Sequence, residues 1–296
     1  SVQSVLGWTA PPSQADGFQN AVSGTTDFTN NELVLDIDSR GWSDYQAAAE
    51  ALAKQVTSDP ALLSKVYAGT DSAGFIAAVG RRVYRRPLTA AEAASYKTLF
   101  DLGGTLTGTQ SAFAKGAEVV LEGMLQSPNF LYRTELGAAG APLSAYEMAA
   151  KLSLWLRNST PDDALLDAAG GAGKLDTADG AAAAATKMLD EPNARVVMRQ
   201  FHGEFLHFGR FSQLSKVGVP TYDPSINPEL AESSYLFFDK IFSQGLGVKD
   251  IFLSTTGFGG PSRAGRDGTG TAAPASGFAE RDLGAGRVGY FQQLPY

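Results

Sequence analysis

Four arginines fall within six consecutive residues, in Arg81-Arg82-Val83-Tyr84-Arg85-Arg86. On a helix this spacing sets Arg81 one turn from Arg85 and Arg82 one turn from Arg86, two like-charged pairs that repel unless anions lie between them. Two chemistries satisfy such a cluster. One is an anion-binding site for phosphate, sulfate or a haem propionate, because guanidinium forks grip oxyanions through paired hydrogen bonds. The other is a structural hub, in which the same forks hold carboxylates and helix C-termini of the chain itself. Glu92, Glu118, Glu122 and Glu135 lie nearby in sequence as partners for that second role.

The chain has two histidines, in Phe201-His202-Gly203-Glu204-Phe205-Leu206-His207-Phe208. Histidines that share a metal from one helix face stand four apart. These stand five apart, about 140° around a regular helix, and point in different directions unless Gly203 breaks the helix. Glu204 and His207 have the Glu-x-x-His spacing of di-iron bundles, which need a second copy and further carboxylates. His202-Gly203-Glu204 has the His-x-Glu form of zinc deaminases without their cysteines. The favoured reading is a salt-linked Glu204–His207 pair, so no cofactor is expected within this chain. A histidine ligand to haem or metal on a partner chain stays open. Asp36-Ile37-Asp38-Ser39-Arg40-Gly41 fits a calcium loop at positions one, three and six, but Arg40 and Ala47 occupy positions that need oxygen ligands. Asp36 and Asp38 therefore remain candidates only for an irregular calcium site.

Other chemistries lack their parts. The chain has no cysteine, which removes disulfides, zinc–thiolate sites, thiol nucleophiles and covalently attached c-type haem from it. Thr70-Asp71-Ser72-Ala73-Gly74 lacks the first glycine of a nucleophile elbow. Arg266-Asp267-Gly268-Thr269-Gly270 lacks the Lys-Ser/Thr of a phosphate loop. A net charge of -7 disfavours nucleic acid as a partner. No apolar run reaches the roughly 18 residues of a membrane span. Paired carboxylates for acid–base chemistry on a carbohydrate remain conceivable, but spacing does not say which two meet.

The elements that must position these residues read as helices. Capping boxes stand at Ser43/Gln46, Thr89/Glu92 and Ser144/Glu147. Asp59-Pro60, Thr160-Pro161-Asp162-Asp163 and Asn227-Pro228-Glu229 each place a cap before a first-turn proline. Apolar stripes at helical spacing run through Met148, Leu152, Trp155 and Leu156, through Val197, Phe201, Phe205 and Phe208, and through Leu230, Phe237, Phe238 and Ile241, all expected in a bundle core. Glu32 to Ile37 reads as one short strand. Residues 257–289, rich in Gly, Ser, Thr and Ala, read as a long loop, and 290–296 as an apolar segment without closing structure. The expected fold is mainly α, several packed helical units with minor short strands. Its expected divisions are 1–58 (loop-rich start and one helix), 59–136 (the arginine motif), 137–256 (a further helical domain) and 257–296 (linker and start of another domain).

Three stretches resemble a known bacterial family. They are Gly80-Arg81-Arg82-Val83-Tyr84-Arg85-Arg86-Pro87-Leu88-Thr89, then Ser127-Pro128-Asn129-Phe130-Leu131-Tyr132-Arg133 with Glu135, then Leu143-Ser144 through Glu147, Ala150, Leu152 and Trp155 to Pro161-Asp162-Asp163-Ala164-Leu165-Leu166. Together they resemble the planctomycete and myxobacterial secreted proteins built from domains of unknown function 1587, 1595, 1592 and 1588. Gly17-Phe18-Gln19-Asn20 with Tyr45 to Ala53 is similar to the first of these. The resemblance implies an exported protein (periplasmic, cell-surface or extracellular), often joined to cytochrome c and so to electron transfer, and it carries no catalytic residues over. Set against the family, the chain begins inside the first domain, near Val5-Leu6-Gly7, and stops inside the fourth, near Gly289-Tyr290. A processed fragment whose partners are other chains of the same precursor or assembly is the expectation that follows. Two roles stay open: a scaffold subunit of a cytochrome-linked redox assembly, or a non-catalytic structural or surface-interaction component of an extracellular complex or filament.

Overall fold

The computed structural model of the chain describes residues 2–8, 12–15, 18, 28, 37–137, 140–171, 173–215, 217, 222–263 and 274–293. The chain divides into two compact units, Ser1–Ala21 with Leu35–Glu191, and Val22–Val34 with Pro192–Tyr296. Both are built mainly of helices, as the capping pattern predicts, with one two-stranded sheet among the described residues.

The first unit holds α1 (Val2–Leu6), α2 (Ser39–Ser58), α3 (Pro60–Val66), α4 (Ser72–Tyr84), α5 (Ala90–Gly104), α6 (Ala112–Leu125), α7 (Pro128–Leu131), α8 (Ala145–Arg157), α9 (Asp163–Gly170) and α10 (Ala178–Leu189). The α6 helix lies against α2, α4 and α5. Its Ala117, Val120, Leu121 and Met124 are fully buried and meet Phe75, Val79 and Val83 of α4 and Val56 of α2 in one core. Phe75, Phe100 and Phe113 pack tilted or edge to face, with centroids 5.5–6.0 Å apart, the arrangement aromatic quadrupoles favour. A second cluster joins Ala149 and Leu152 of α8 to Leu165 and Ala169 of α9, Leu175 and Met188.

Local chemistry explains where most helices start. Asp59 accepts from Ala61 N with Pro60 in the first turn, and Thr89/Glu92 and Ser144/Glu147 form complete capping boxes. Three expected starts shift. Asp38, not Ser43, caps α2, accepting from Gly41 N at 2.7 Å, so the helix begins four residues before Ser43. Asp162 takes the place expected of Thr160 by accepting from Leu165 N at 2.8 Å. Asn227 lies inside a helix; it is buried and donates to Leu214 O while accepting from the Tyr222 hydroxyl.

The second unit holds α11 (Pro192–Phe205), α12 (Asn227–Ser243), α13 (Val248–Leu253), β1 (Thr256–Gly259), β2 (Ala279–Asp282) and α14 (Tyr290–Gln293). The strands pair antiparallel, Thr256 opposite Asp282 and Gly259 opposite Ala279, within the stretch expected to be loop. Tyr290 is buried in a short helix rather than in a structureless segment. The core is aromatic: Phe208, Phe237, Phe238, Ile241 and Tyr290. Leu230, Phe237, Phe238 and Ile241 are buried, as their spacing predicts. The other two stripes are only partly buried. Trp155 is 56% exposed, and Phe201 and Phe205 are 45% and 58% exposed. The expected strand from Glu32 lies, except for Ile37, outside the described residues.

Candidate functional site

The arginine motif straddles the end of α4. The helix stops at Tyr84 because Arg85 turns into the left-handed region at φ 59°, a common helix ending, and Pro87 follows two residues on. The expected one-turn pairs 81/85 and 82/86 therefore do not share a helix face, and the four guanidiniums go to separate destinations.

Arg85 is 7% exposed and donates to the carbonyls of Asn129 at 2.5 Å, Tyr132 at 2.6 Å and Phe130 at 3.3 Å. These carbonyls belong to α7 and the residue after it, in the Ser-Pro-Asn-Phe-Leu-Tyr-Arg stretch. Ser127 caps that helix, with Pro128 in its first turn. Burial lowers the Arg85 pKa, but a guanidinium stays charged, and its fork meets acceptors that α7 leaves open. Nearby, the Tyr84 hydroxyl lies 2.8 Å from that of Tyr96 and 3.0 Å from Ser127 Oγ. Burial, then the Tyr84 hydrogen bond, pushes the Tyr96 hydroxyl pKa up.

Arg86 makes a two-pronged bond to Glu92 at 2.9 and 2.8 Å and lies over the Tyr84 ring, 5.4 Å from its centroid. Glu92 also accepts from Thr89 N at 2.8 Å, so one carboxylate both closes the α5 capping box and holds the arginine. The Arg86 bond, followed by those from Thr89, holds the Glu92 pKa down at about 2 against a burial cost. An acid whose folded pKa lies below its unfolded value adds stability that is complete above the unfolded pKa and is lost as pH falls through the folded one. Glu92→Gln is expected to cost about 1–2 kcal/mol at pH 7. The deficit should shrink between about pH 4.5 and pH 2, which urea unfolding across that range measures.

Arg81 pairs with Asp167, and Arg82 donates to Val66 O at 3.0 Å and Asp163 at 3.3 Å. These bonds tie α4 to the end of α3 and to the first turns of α9. Asp163 and Asp167 lie some 80 residues from the arginines they meet, and nothing in the local sequence announces them. Of the four glutamates expected as partners, Glu92 alone bonds a motif arginine among the contacts described. Glu118 accepts from Thr57 Oγ1 at 2.8 Å. Glu135 pairs with Arg133 and Lys151. Glu122 has its pKa raised by burial and by the carboxylates of Glu50 and Glu118.

The remaining candidates sit apart. The His202 ring stacks on Phe238, centroids 4.4 Å apart, and burial lowers its pKa. The α11 helix runs unbroken through Gly203 to Phe205, and His207 lies beyond its end at φ 58°. Glu204 accepts from Gln200 Nε2 at 3.0 Å. Asp38 is the cap of α2 described above, and Asp36 lies outside the described residues. Among the described residues no group of three or more His, Asp or Glu side chains is placed to hold a metal ion, and no helix is long and apolar enough to cross a membrane.

Two features of the second unit went unread in the sequence. Asp239, with a side chain 6% exposed, accepts from Arg195 at 2.7 Å and Arg199 at 3.2 Å. Arg199 also grips Glu232 at 2.8 and 2.7 Å and covers the Tyr235 ring at 4.7 Å. On α11, the exposed rings of Phe201 and Phe205 lie parallel within 7° at 5.7 Å, and Phe28 stacks on both.

Comparison with known families agrees with the motifs. Residues 71–135 match the family model described as PSD5: Protein of unknown function (DUF1595), and residues 143–264 match PSD4: Protein of unknown function (DUF1592). No curated protein and no solved structure matches the chain.

Proposed function

We propose that this chain, with its two matched domains of unknown function, is a scaffold segment of an exported bacterial multidomain protein that holds partner chains in a cytochrome-linked redox assembly. The supporting observation is the set of destinations of the motif arginines. Arg85 anchors α7, Arg86 fixes the start of α5, and Arg81 and Arg82 reach Asp167 and Asp163. The last two bonds join a residue of the first matched segment to one of the second. The motif arginines thus hold helices of the two matched segments together within the first compact unit, the kind of bracing a scaffold needs. The redox setting rests on the family resemblance, and it is tested directly. The native assembly, isolated through this chain, should show a reduced-minus-oxidised Soret band that co-elutes with it in fixed ratio. A colourless assembly holding the same chains would overturn the redox setting.

A second reading has its own observation. The α11 helix has Ala194 as its only buried residue, and Phe201 and Phe205 stay about half exposed beside Phe28, which stacks on both. Exposed aromatic pairs of this kind mark interaction surfaces. A structural or surface-interaction component of an extracellular complex would use this face.

A further inference from the structure

The first unit carries a groove of about 350 Å³ between α4 and α5, within the size range of small-molecule sites. Its α4 wall is Ala73 and Ala77, one turn apart, its α5 wall is Ala93, and Ile76, Pro87 and Leu88 complete the apolar lining. The small walls keep the slot open. Leu88 rests on Gly80, where an added Cβ would sit 2.5 Å from Leu88 Cδ1. The two charged side chains of the lining are both cations, Arg81 and Lys97.

That composition selects a ligand. Among the described residues, the side chains lining the groove include no aromatic ring on which a sugar or base could stack, and no amide or hydroxyl to read a neutral polar molecule. The apolar lining suits an aliphatic chain, and the cationic rim suits an anionic head. Both cations have intramolecular partners, but these are solvated: the side chain of Asp167 is 72% exposed and that of Asp101 is 59% exposed. Such pairs are weak, and Arg81 gives Asp167 one of its five N–H donors.

We propose that this groove binds a linear aliphatic carboxylate of the fatty-acid class, its chain lying along Ala73, Ala77 and Leu88 and its carboxylate on the cationic rim.

Titration calorimetry of the whole chain with octanoate, decanoate and dodecanoate, each below its micelle concentration, tests this. Affinity should rise about two- to threefold per added methylene, less than full burial gives because the groove is open to solvent. Decanol should bind at least tenfold more weakly than decanoate. Lys97→Gln should weaken decanoate binding about fivefold, and Ala77→Leu, which fills the slot, should abolish it. Lys54→Gln, on the exposed face of α2, should change nothing. Should Ala77→Leu fail to fold by circular dichroism, Ala73→Leu fills the same wall. Binding that ignores chain length, treats decanol and decanoate alike, or survives the filled slot overturns the proposal.

Discussion

Replacing Arg85 with alanine is expected to lower the stability of the chain by about 3–4 kcal/mol. The guanidinium is buried and donates to three backbone carbonyls. Hydrogen bonds from charged groups are the strong ones, and deleting the donor leaves the acceptors without partners in a space that admits little water. A second substitution separates hydrogen bonding from backbone geometry. Arg85 stands at φ 59°, a region that costs alanine about 1 kcal/mol and glycine almost nothing. Arg85→Gly should therefore be about 1 kcal/mol less damaging than Arg85→Ala, while still well below wild type. Arg85→Lys should recover only part of the loss, because an ammonium cannot match a planar fork. Urea unfolding of all three variants checks the order. A loss below 1 kcal/mol for Arg85→Ala would show that the arginine is not the anchor of α7.

The second large effect is expected in the other unit. Phe208 is 1% exposed and packs against Phe211, Tyr235, Phe238 and Tyr290 at centroid distances of 4.9–6.0 Å. Phe208→Ala should cost about 3–5 kcal/mol, the lost transfer energy of the ring plus the cavity left among stiff neighbours. Tyr290 reports on the same cavity. Its hydroxyl donates to Ser234 Oγ at 3.1 Å, and burial pushes its pKa up to about 12. In the variant the Tyr290 hydroxyl should titrate closer to the usual tyrosine range, alongside a weaker near-ultraviolet dichroism signal. A variant that keeps wild-type stability and an unchanged tyrosine titration would contradict this packing.

What the sequence disclosed follows the range of the forces involved. The boxes at Thr89/Glu92 and Ser144/Glu147 and the Asp59-Pro60 start are complete within four residues, so they could be read directly. Misplaced starts occur where two caps compete within a few residues: Asp38 wins over Ser43, and Asp162 over Thr160. Helical periodicity shows which residues share a face, not whether anything covers that face, so Phe237 and Phe201 looked alike in sequence yet are buried and exposed. The β pair was hidden because β1 carries two glycines, Gly257 and Gly259, that alternation rules discount. Gly257 lets Leu283 approach closely, since an added Cβ would lie 2.5 Å from Leu283 Cδ1. The arginine motif was recognisable as a cluster, but its meaning depended on partners up to 86 residues away, which no local pattern supplies.

Those partners also rank the four arginines. Arg85 is buried and makes three bonds, Arg86 is half-buried in a two-pronged pair, and Arg81 and Arg82 meet exposed carboxylates, contacts worth at most about 1 kcal/mol each. Native-state hydrogen exchange of the four single arginine-to-alanine variants tests the structural role of the motif most directly. The account predicts that Arg85→Ala loses amide protection most strongly around residues 127–132, Arg86→Ala less and at the start of α5, and Arg81→Ala and Arg82→Ala least, in α9 and, for Arg82→Ala, also at the end of α3. Four variants that keep wild-type protection in all of these segments would contradict it, and would return the motif to the role of an exposed anion site.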